Sequence, residues 1–209
     1  VYPYNPPYSA RLGEEAGLHS VMELYGYYLT LAGMEKGGTA ERMLRVIEKN
    51  NARRGITIRT PDTSRLAEEF AALKSIYNDA WEKNWGFVPM TDEELDELVE
   101  NLGMFFDPEL TIFAEVEGQP VGFLLGLPDL NQAIQRAYQR PGKPDLLTKA
   151  QIAWHWKVRS KITRIRVPLM GVRQGFRGIG VEAAMFGMIY ENASRLAPKR
   201  GWQGADGGW

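Results

Sequence analysis

The residues best suited to chemistry lie in a glycine-containing stretch, residues 174–180, with the sequence QGFRGIG. It follows a run rich in β-branched residues, 162–172, and precedes residues 181–197, whose apolar side chains recur at helical spacing. A strand, a glycine turn and a helix in this order predict an anion site, because the first-turn amides have no intrahelical partner and the helix dipole is positive there. We therefore expect this turn to hold a phosphate-bearing ligand.

The same stretch carries a family resemblance. Residues 172–186, VRQGFRGIGVEAAMF, resemble the acyl-CoA signature of the GNAT superfamily of N-acyltransferases, usually written R/Q-x-x-G-x-G/A after an aromatic residue. Arg177, Gly178 and Gly180 fall on its first, second and fourth places, and Phe176 precedes them. The resemblance implies an α+β fold with a mixed, mostly antiparallel sheet flanked by helices. It also implies acetyl-CoA, or another acyl-CoA, as the cofactor.

In this family the pantetheine arm of the cofactor lies beside the strand that precedes the turn, and the turn amides hold the pyrophosphate. The cofactor-binding residues implied here are Met170, Gly171, Val172, Arg177, Gly178, Ile179, Gly180, Val181 and Glu182. Glu182 departs from the family pattern, because Gly or Ala is usual at that place. Its carboxylate either repels a pyrophosphate, fills the anion site itself, or points away and leaves the amides free.

GNAT enzymes pass the acyl group directly from coenzyme A to an amine, so positioning does most of the work and no covalent enzyme intermediate is needed. Glu115 is the candidate general base, with a water chain as the alternative and a surface carboxylate as the simpler interpretation. The loop between the first two helices lines the acceptor site in this family. The residues predicted to form that wall are Trp81, Asn84, Trp85 and Phe87, unless these aromatics only pack the core.

Composition narrows the class of protein. The chain has 209 residues, a net charge of -1, no cysteine and two histidines that make no zinc pattern, so neither thiol catalysis nor a metal site is expected. The near-neutral charge argues against a general nucleic-acid binder, although the basic stretch 157–166 leaves that as a weak alternative. No apolar run approaches the ~20 residues of a membrane span, and we expect a cytoplasmic protein.

The chain divides into three parts by its patterns: an N-terminal arm (1–32), a linker helix (33–54) and a GNAT-like domain (55–209). The arm resembles the C-terminal helix and strand of a GNAT domain, and the last residues resemble the start of that domain's fifth strand. We therefore expect a C-terminally truncated domain, and one hypothesis is that residues 1–31 supply the missing strand, as in a circular permutant. The long insertion after the hairpin at 110–127 is expected to form a lid or a subunit contact, which makes a homodimer one alternative.

The sequence thus predicts an acyl-CoA-dependent N-acyltransferase whose acceptor, a small-molecule or peptide amine, is not specified. The alternative is a non-catalytic acyl-CoA-binding or protein-interaction module of degenerate GNAT type. Glu182 and the expected truncation favour that alternative.

Overall fold

The structure, a computed structural model, describes residues 5–83, 87–91, 93, 94, 96, 97, 100, 106–137, 145–158 and 162–208. Its strands are β1 (Gly26–Thr30), β2 (Ile56–Arg59), β3 (Thr111–Val116), β4 (Gln119–Pro128), β5 (Arg164–Val172) and β6 (Gly204–Gly208). Its helices are α1 (Tyr8–Glu15), α2 (Leu31–Glu35), α3 (Thr39–Arg54), α4 (Leu66–Trp81), α5 (Asn131–Arg136), α6 (Asp145–Ala153) and α7 (Val181–Arg200). A π-helical stretch, Trp154–Val158, follows α6.

The strands form one sheet in the order β1-β6-β5-β4-β3-β2. All neighbouring pairs are antiparallel except β5 with β6, which run parallel and are connected through α7. The predicted α+β fold with a mixed, mostly antiparallel sheet is therefore confirmed. The hairpin expected at 110–127 is present, and its strands β3 and β4 are joined by a tight turn at Glu117-Gly118 with positive φ at both residues.

The sheet has a different helix on each face. On one face α7 covers a core that contains Ile112, Leu124, Val172 and Met185, and α3 packs outside α7. On the other face α4 covers Phe113, Phe123 and Leu125. The period-2 pattern of the strands sends alternate side chains into these two cores, so both faces of the central strands are buried.

One helix end differs from the sequence prediction. The apolar pattern placed the last helix at residues 181–197, yet α7 continues through Pro198 to Arg200. Proline's fixed φ is compatible with a helical turn, so it removes one amide hydrogen bond without ending the helix. Gly201, with φ +76° and its amide donating to the Ala197 carbonyl, is the residue that ends it. The linker helix predicted within residues 33–54 is α3, which ends at Arg54, and Gly55 follows it with φ +66°.

The N-terminal arm contributes a strand to the sheet. β1 lies antiparallel to β6, from Gly26 opposite Gly208 to Thr30 opposite Gly204. β6 therefore lies between β1 and β5, and β1 is one edge of the sheet. A strand from residues 1–31 beside β6 is the arrangement that the permutation hypothesis requires.

Candidate active site: the glycine turn between β5 and α7

The predicted anion site lies where β5 ends and α7 begins. After Val172 the chain makes a 3-10 turn at Gln174–Phe176 and reaches two glycines with positive φ, Gly178 at +73° and Gly180 at +102°. Gly180 is the residue that directly precedes α7. From Gly178 to Ala183, the backbone amides donate no hydrogen bond to any residue that the structure describes. Several amide groups are thus grouped at the positive end of a 20-residue helix, as an anion site requires.

Beside the turn, β5 separates from β6. The two strands pair only from Arg164 opposite Gly204 to Val167 opposite Gly207, whereas β5 stays paired with β4 as far as Val172. Between Leu125 and Leu127 of β4 the register with β5 shifts from Leu169 to Arg166, which marks a bulge at Val167-Pro168. Because proline has no amide hydrogen, Pro168 cannot continue the ladder. The side of Met170, Gly171 and Val172 that faces away from β4 therefore has no strand partner within the described part of the chain.

Three side chains attach the turn to α4. Arg173 donates from Nη2 to Ser75 Oγ at 2.7 Å, and Gln174 donates from Nε2 to Glu82 Oε2 at 3.1 Å. Arg177 donates from Nε to the Val172 carbonyl at 3.1 Å and from Nη2 to the Ala80 carbonyl. Arg177 was predicted to bind the cofactor pyrophosphate. In the structure its guanidinium joins the end of β5 to the last turn of α4. A cation there also interacts favourably with the negative end of the dipole of α4.

No protein-family model matches the chain. Among solved structures, the DUF2156 C-terminal domain of an Agrobacterium fabrum protein assigned as a lysylphosphatidylglycerol synthetase superposes with a TM-score of 0.51 at 12% identity. This superposition covers 96% of our chain and 50% of the other. A fungal GCN5-related glucosamine N-acetyltransferase region, within a multi-domain β-N-acetylglucosaminidase, has a TM-score of 0.51 at 12% identity and covers 95% of our chain and 19% of that one. At 12% identity, these similarities are evidence for the fold only.

The chain has the GNAT fold. The superfamily expected from residues 172–186 is therefore confirmed at the level of the fold. These residues lie at the junction of β5 and α7, as expected.

Two curated proteins are similar in sequence. Protein YghO of Escherichia coli K12 is 30% identical over 177 residues, which are 85% of this chain and 43% of YghO. The bacterial ceramide synthase of Caulobacter vibrioides is 33% identical over 174 residues, 83% of this chain and 43% of that protein. The chain therefore spans less than half the length of these relatives.

Glu182, the departure from the GNAT signature, lies in the first turn of α7 and is half-buried. Its carboxylate forms no hydrogen bond or ion pair with the residues that the structure describes. The first-turn amides are therefore not capped by this side chain, which leaves them free for another anion.

Two aromatic residues predicted for the acceptor wall, Trp81 and Phe87, lie on the α4 side of the sheet, and Trp81 lies close to β5. Trp81 stacks on Tyr77 with ring centroids 4.7 Å apart, and Phe87 lies 6.0 Å from the same ring. A methyl group at Gly171 would lie 2.5 Å from Cζ3 of Trp81, so only glycine at 171 lets the indole approach β5. Both aromatic residues are half-buried and therefore both pack the sheet and present a surface. The predicted wall residues Asn84 and Trp85 lie outside the described residues.

Tyr77, at the centre of this aromatic group, is not among the predicted site residues. It is buried, and burial raises the pKa of its hydroxyl above the ordinary value. Its place on the buried side of α4 was visible in the helical spacing, but its position between Trp81 and Phe87 was not.

Glu115, the candidate base, lies on β3, and β4 separates it from β5. Arg59 donates from Nε to Glu115 Oε1 at 2.6 Å and from Nη1 to Glu69 Oε1 at 2.7 Å, and its guanidinium carbon lies 5.2 Å from the Phe113 ring centroid. Burial lowers the pKa of Arg59, but the hydrogen bonds and charges of Glu69 and Glu115 outweigh it, so its pKa is raised above the ordinary value. The structure therefore places Glu115 in an ion-pair network that joins α4 to the sheet and does not bring it to the separation of β5 from β6.

The basic stretch 157–166 forms separate contacts at its two ends. Lys157 Nζ lies 4.0 Å from the Trp156 ring centroid, the Arg164 guanidinium lies 5.7 Å from the Tyr28 ring centroid, and Arg166 Nε lies 3.2 Å from Asp206 Oδ2. These three charges therefore belong to two elements, the π-helical stretch and β5, and each has its own contact.

A cavity of about 260 Å³ lies at the other end of the sheet, where β4 ends and β5 begins. Three aromatic rings and a charged pair, Arg200 with Asp107, surround it. Its lining residues are Phe106, Asp107, Pro128, Trp156, Lys157, Ile162, Arg200 and Trp202. The turn and this cavity are therefore separate features of the domain.

Within the described residues, no helix has both the length and the apolar character needed to cross a bilayer.

Proposed function

We propose that this chain is an acyl-CoA-dependent N-acyltransferase domain that moves an acyl group from acyl-CoA directly to an amine. The observation that carries this proposal is the group of unpartnered amides from Gly178 to Ala183, at the point where β5 separates from β6 within a GNAT fold. A thioester bound there would supply an activated acyl group.

The residues present fit such a cofactor in two ways. Gly178 and Gly180 have positive φ and no side chain, so a pyrophosphate can approach their amides closely. The unpaired side of Met170–Val172 offers backbone groups to an extended amide-containing arm, which would bind there as an added strand, except that the Val172 carbonyl already accepts from Arg177. Arg177 holds the turn against α4 and Gly171 gives Trp81 its place beside β5, so we assign both to positioning.

The acceptor is proposed to be a long-chain amine. The relative from Caulobacter vibrioides is named a bacterial ceramide synthase, and a ceramide is the amide of a fatty acid with a long-chain amino alcohol. Acyl transfer to such an amine is N-acylation, the same chemistry that the fold and the turn support. The half-buried rings of Trp81 and Phe87 would provide an apolar wall for an alkyl chain. We further propose a cytoplasmic location, because acyl-CoA is a cytoplasmic metabolite.

A non-catalytic acyl-CoA-binding module is the second candidate. Two observations favour it: Glu182 adds a carboxylate to the anion site, and Arg59 already occupies the carboxylate of the candidate base Glu115. Such a module would bind acyl-CoA without transferring the acyl group.

The test combines binding with turnover on the full chain. Acetyl-CoA and palmitoyl-CoA are titrated by calorimetry, and radiolabelled acyl transfer is measured with sphinganine, agmatine and a lysine-containing peptide. We expect micromolar binding of an acyl-CoA and labelled amide only with sphinganine. Binding without transfer to any acceptor would favour the non-catalytic module. Absence of binding to either thioester would overturn both candidates.

A further inference from the structure

The helix before the domain, α3, contacts the helix that begins at the glycine turn. Leu44 and Ile47, one turn apart, face α7 at Gly187, where an added methyl group would lie 3.1 Å from Cδ1 of Ile47 and 3.3 Å from Cδ2 of Leu44. A side chain at 187 would therefore separate the helices. Asn50 follows Ile47 by three residues and belongs to the same helix face. The helical repeat thus directs Asn50 towards the N-terminal end of α7.

Asn50 reaches the turn itself. Its Nδ2 donates to the Ile179 carbonyl at 2.8 Å, a partly buried hydrogen bond between residues 129 positions apart in sequence. A methyl group at Gly180 would lie 2.4 Å from the same nitrogen. Gly180 therefore needs to be glycine for two reasons, its φ of +102° and the approach of Asn50.

This hydrogen bond fixes the direction of one amide. In a trans peptide the carbonyl and the amide hydrogen of the same unit point in opposite directions. Because the Ile179 carbonyl points at α3, the Gly180 amide points away from α3, and it donates to no described residue. Among the described residues, only Asn50 forms a hydrogen bond with the 179–180 peptide, so without Asn50 the orientation of this peptide would be held less firmly.

We propose that Asn50 is a positioning residue of the acyl-CoA site and that α3 is part of the site. Asn50 holds the 179–180 peptide so that the Gly180 amide faces the pyrophosphate, while Arg177 holds the other end of the turn against α4. The proposal rests on the proposed function, since it concerns the same ligand. It adds a residue that lies outside the GNAT signature and comes from the segment predicted as a linker.

The test uses two variants of the full chain that keep the shape of the side chain. Asn50→Leu removes the donor, and Asn50→Asp replaces it with a carboxylate that repels both the Ile179 carbonyl and a pyrophosphate. In calorimetric titrations with coenzyme A we expect affinity to fall about three- to tenfold for Asn50→Leu and more for Asn50→Asp, as for a lost hydrogen bond with added repulsion. Amide hydrogen exchange across residues 177–183 should be faster in both variants.

Asn51→Ala is the matched control, because it truncates the same residue type one position along α3, and no hydrogen bond joins the Asn51 side chain to a described residue. It shows how much a substitution at this end of α3 destabilises the protein in general. Thermal unfolding measures that destabilisation in all variants. Should Asn50→Leu and Asn50→Asp bind coenzyme A as tightly as Asn51→Ala, the role of Asn50 is overturned and the proposed function stands. If the unsubstituted chain binds no coenzyme A, the proposed function falls and the role of Asn50 with it.

Discussion

The glycine turn and the N-terminal arm are held to the rest of the molecule in opposite ways. Side chains from two helices and from the turn itself fix the turn: Asn50 from α3 on one side, and Arg173, Gln174 and Arg177 bonded to α4 on the other. The arm has no buried residue from position 5 to 30, and every residue of β1 is exposed. Its main connection to the domain is the backbone ladder with β6.

This difference indicates that the glycine turn is suited to bind a ligand, whereas the arm is only attached to the sheet. A turn whose peptide planes are fixed by several independent bonds can present amides in one geometry, which is what pre-organised binding requires. A strand attached through its backbone depends on its partner strand and contributes no apolar core. The arm carries many exposed large apolar side chains, including Tyr8, Leu12, Val21, Tyr25 and Tyr27. We assign ligand binding to the turn and only sheet completion to the arm.

The largest effect is expected from Gly180→Ala. The substitution places a Cβ at φ +102° and against Nδ2 of Asn50, so it combines backbone strain with a broken hydrogen bond, together about 2–4 kcal/mol. We expect coenzyme A affinity to fall at least about tenfold, measured by calorimetry. Gly175→Ala is the control, because no atom lies within 4 Å of the added methyl group in the same turn. Equal losses in the two variants would contradict the special role of position 180.

An intermediate effect is expected from deleting residues 1–30. β6, with the sequence GADGG, has little strand preference of its own and would keep β5 as its neighbour along only four residue pairs. We expect the free energy of unfolding to fall by about 2 kcal/mol, as for the loss of a short ladder of hydrogen bonds, with coenzyme A affinity changed less than about threefold. Chemical denaturation and calorimetry measure the two quantities. An unchanged unfolding midpoint would rule out the hypothesis that this arm completes the sheet.

The smallest effect is expected from Glu182→Ala. A carboxylate in the first turn of α7 interacts with the helix dipole by roughly 0.3–1 kcal/mol and competes with a bound anion by the same electrostatics. Removing it should strengthen coenzyme A binding about two- to fivefold at low salt, and added salt should reduce the gain. Glu191→Ala, at an exposed position further along α7, serves as the control. Weaker binding in Glu182→Ala would show that this side chain assists the ligand.

Local patterns accounted for most of the elements. The strand at 56–59, the hairpin joined at Glu117-Gly118 and the strand, glycine turn and helix at 162–200 are set by neighbours in sequence, so periodicity and turn residues predict them. Gly126 lies opposite the β5 bulge, and a methyl group added there would lie 2.8 Å from both Cδ1 of Ile189 and the Leu110 carbonyl oxygen, which only the packed structure shows. The end of α7 was predicted wrongly, because Pro198 is tolerated in a last turn.

By itself, the sequence determined the superfamily resemblance, the α+β class and the position of the glycine turn, because each depends on residues within about one strand and one helix of each other. Only the tertiary structure decided what surrounds that turn. It bound Arg177 to α4, placed Glu115 in an ion pair with Arg59, and brought Asn50 to the Ile179 carbonyl across 129 positions of sequence. Such contacts depend on how whole elements pack against one another, so they cannot be predicted from the spacing of residues along the chain.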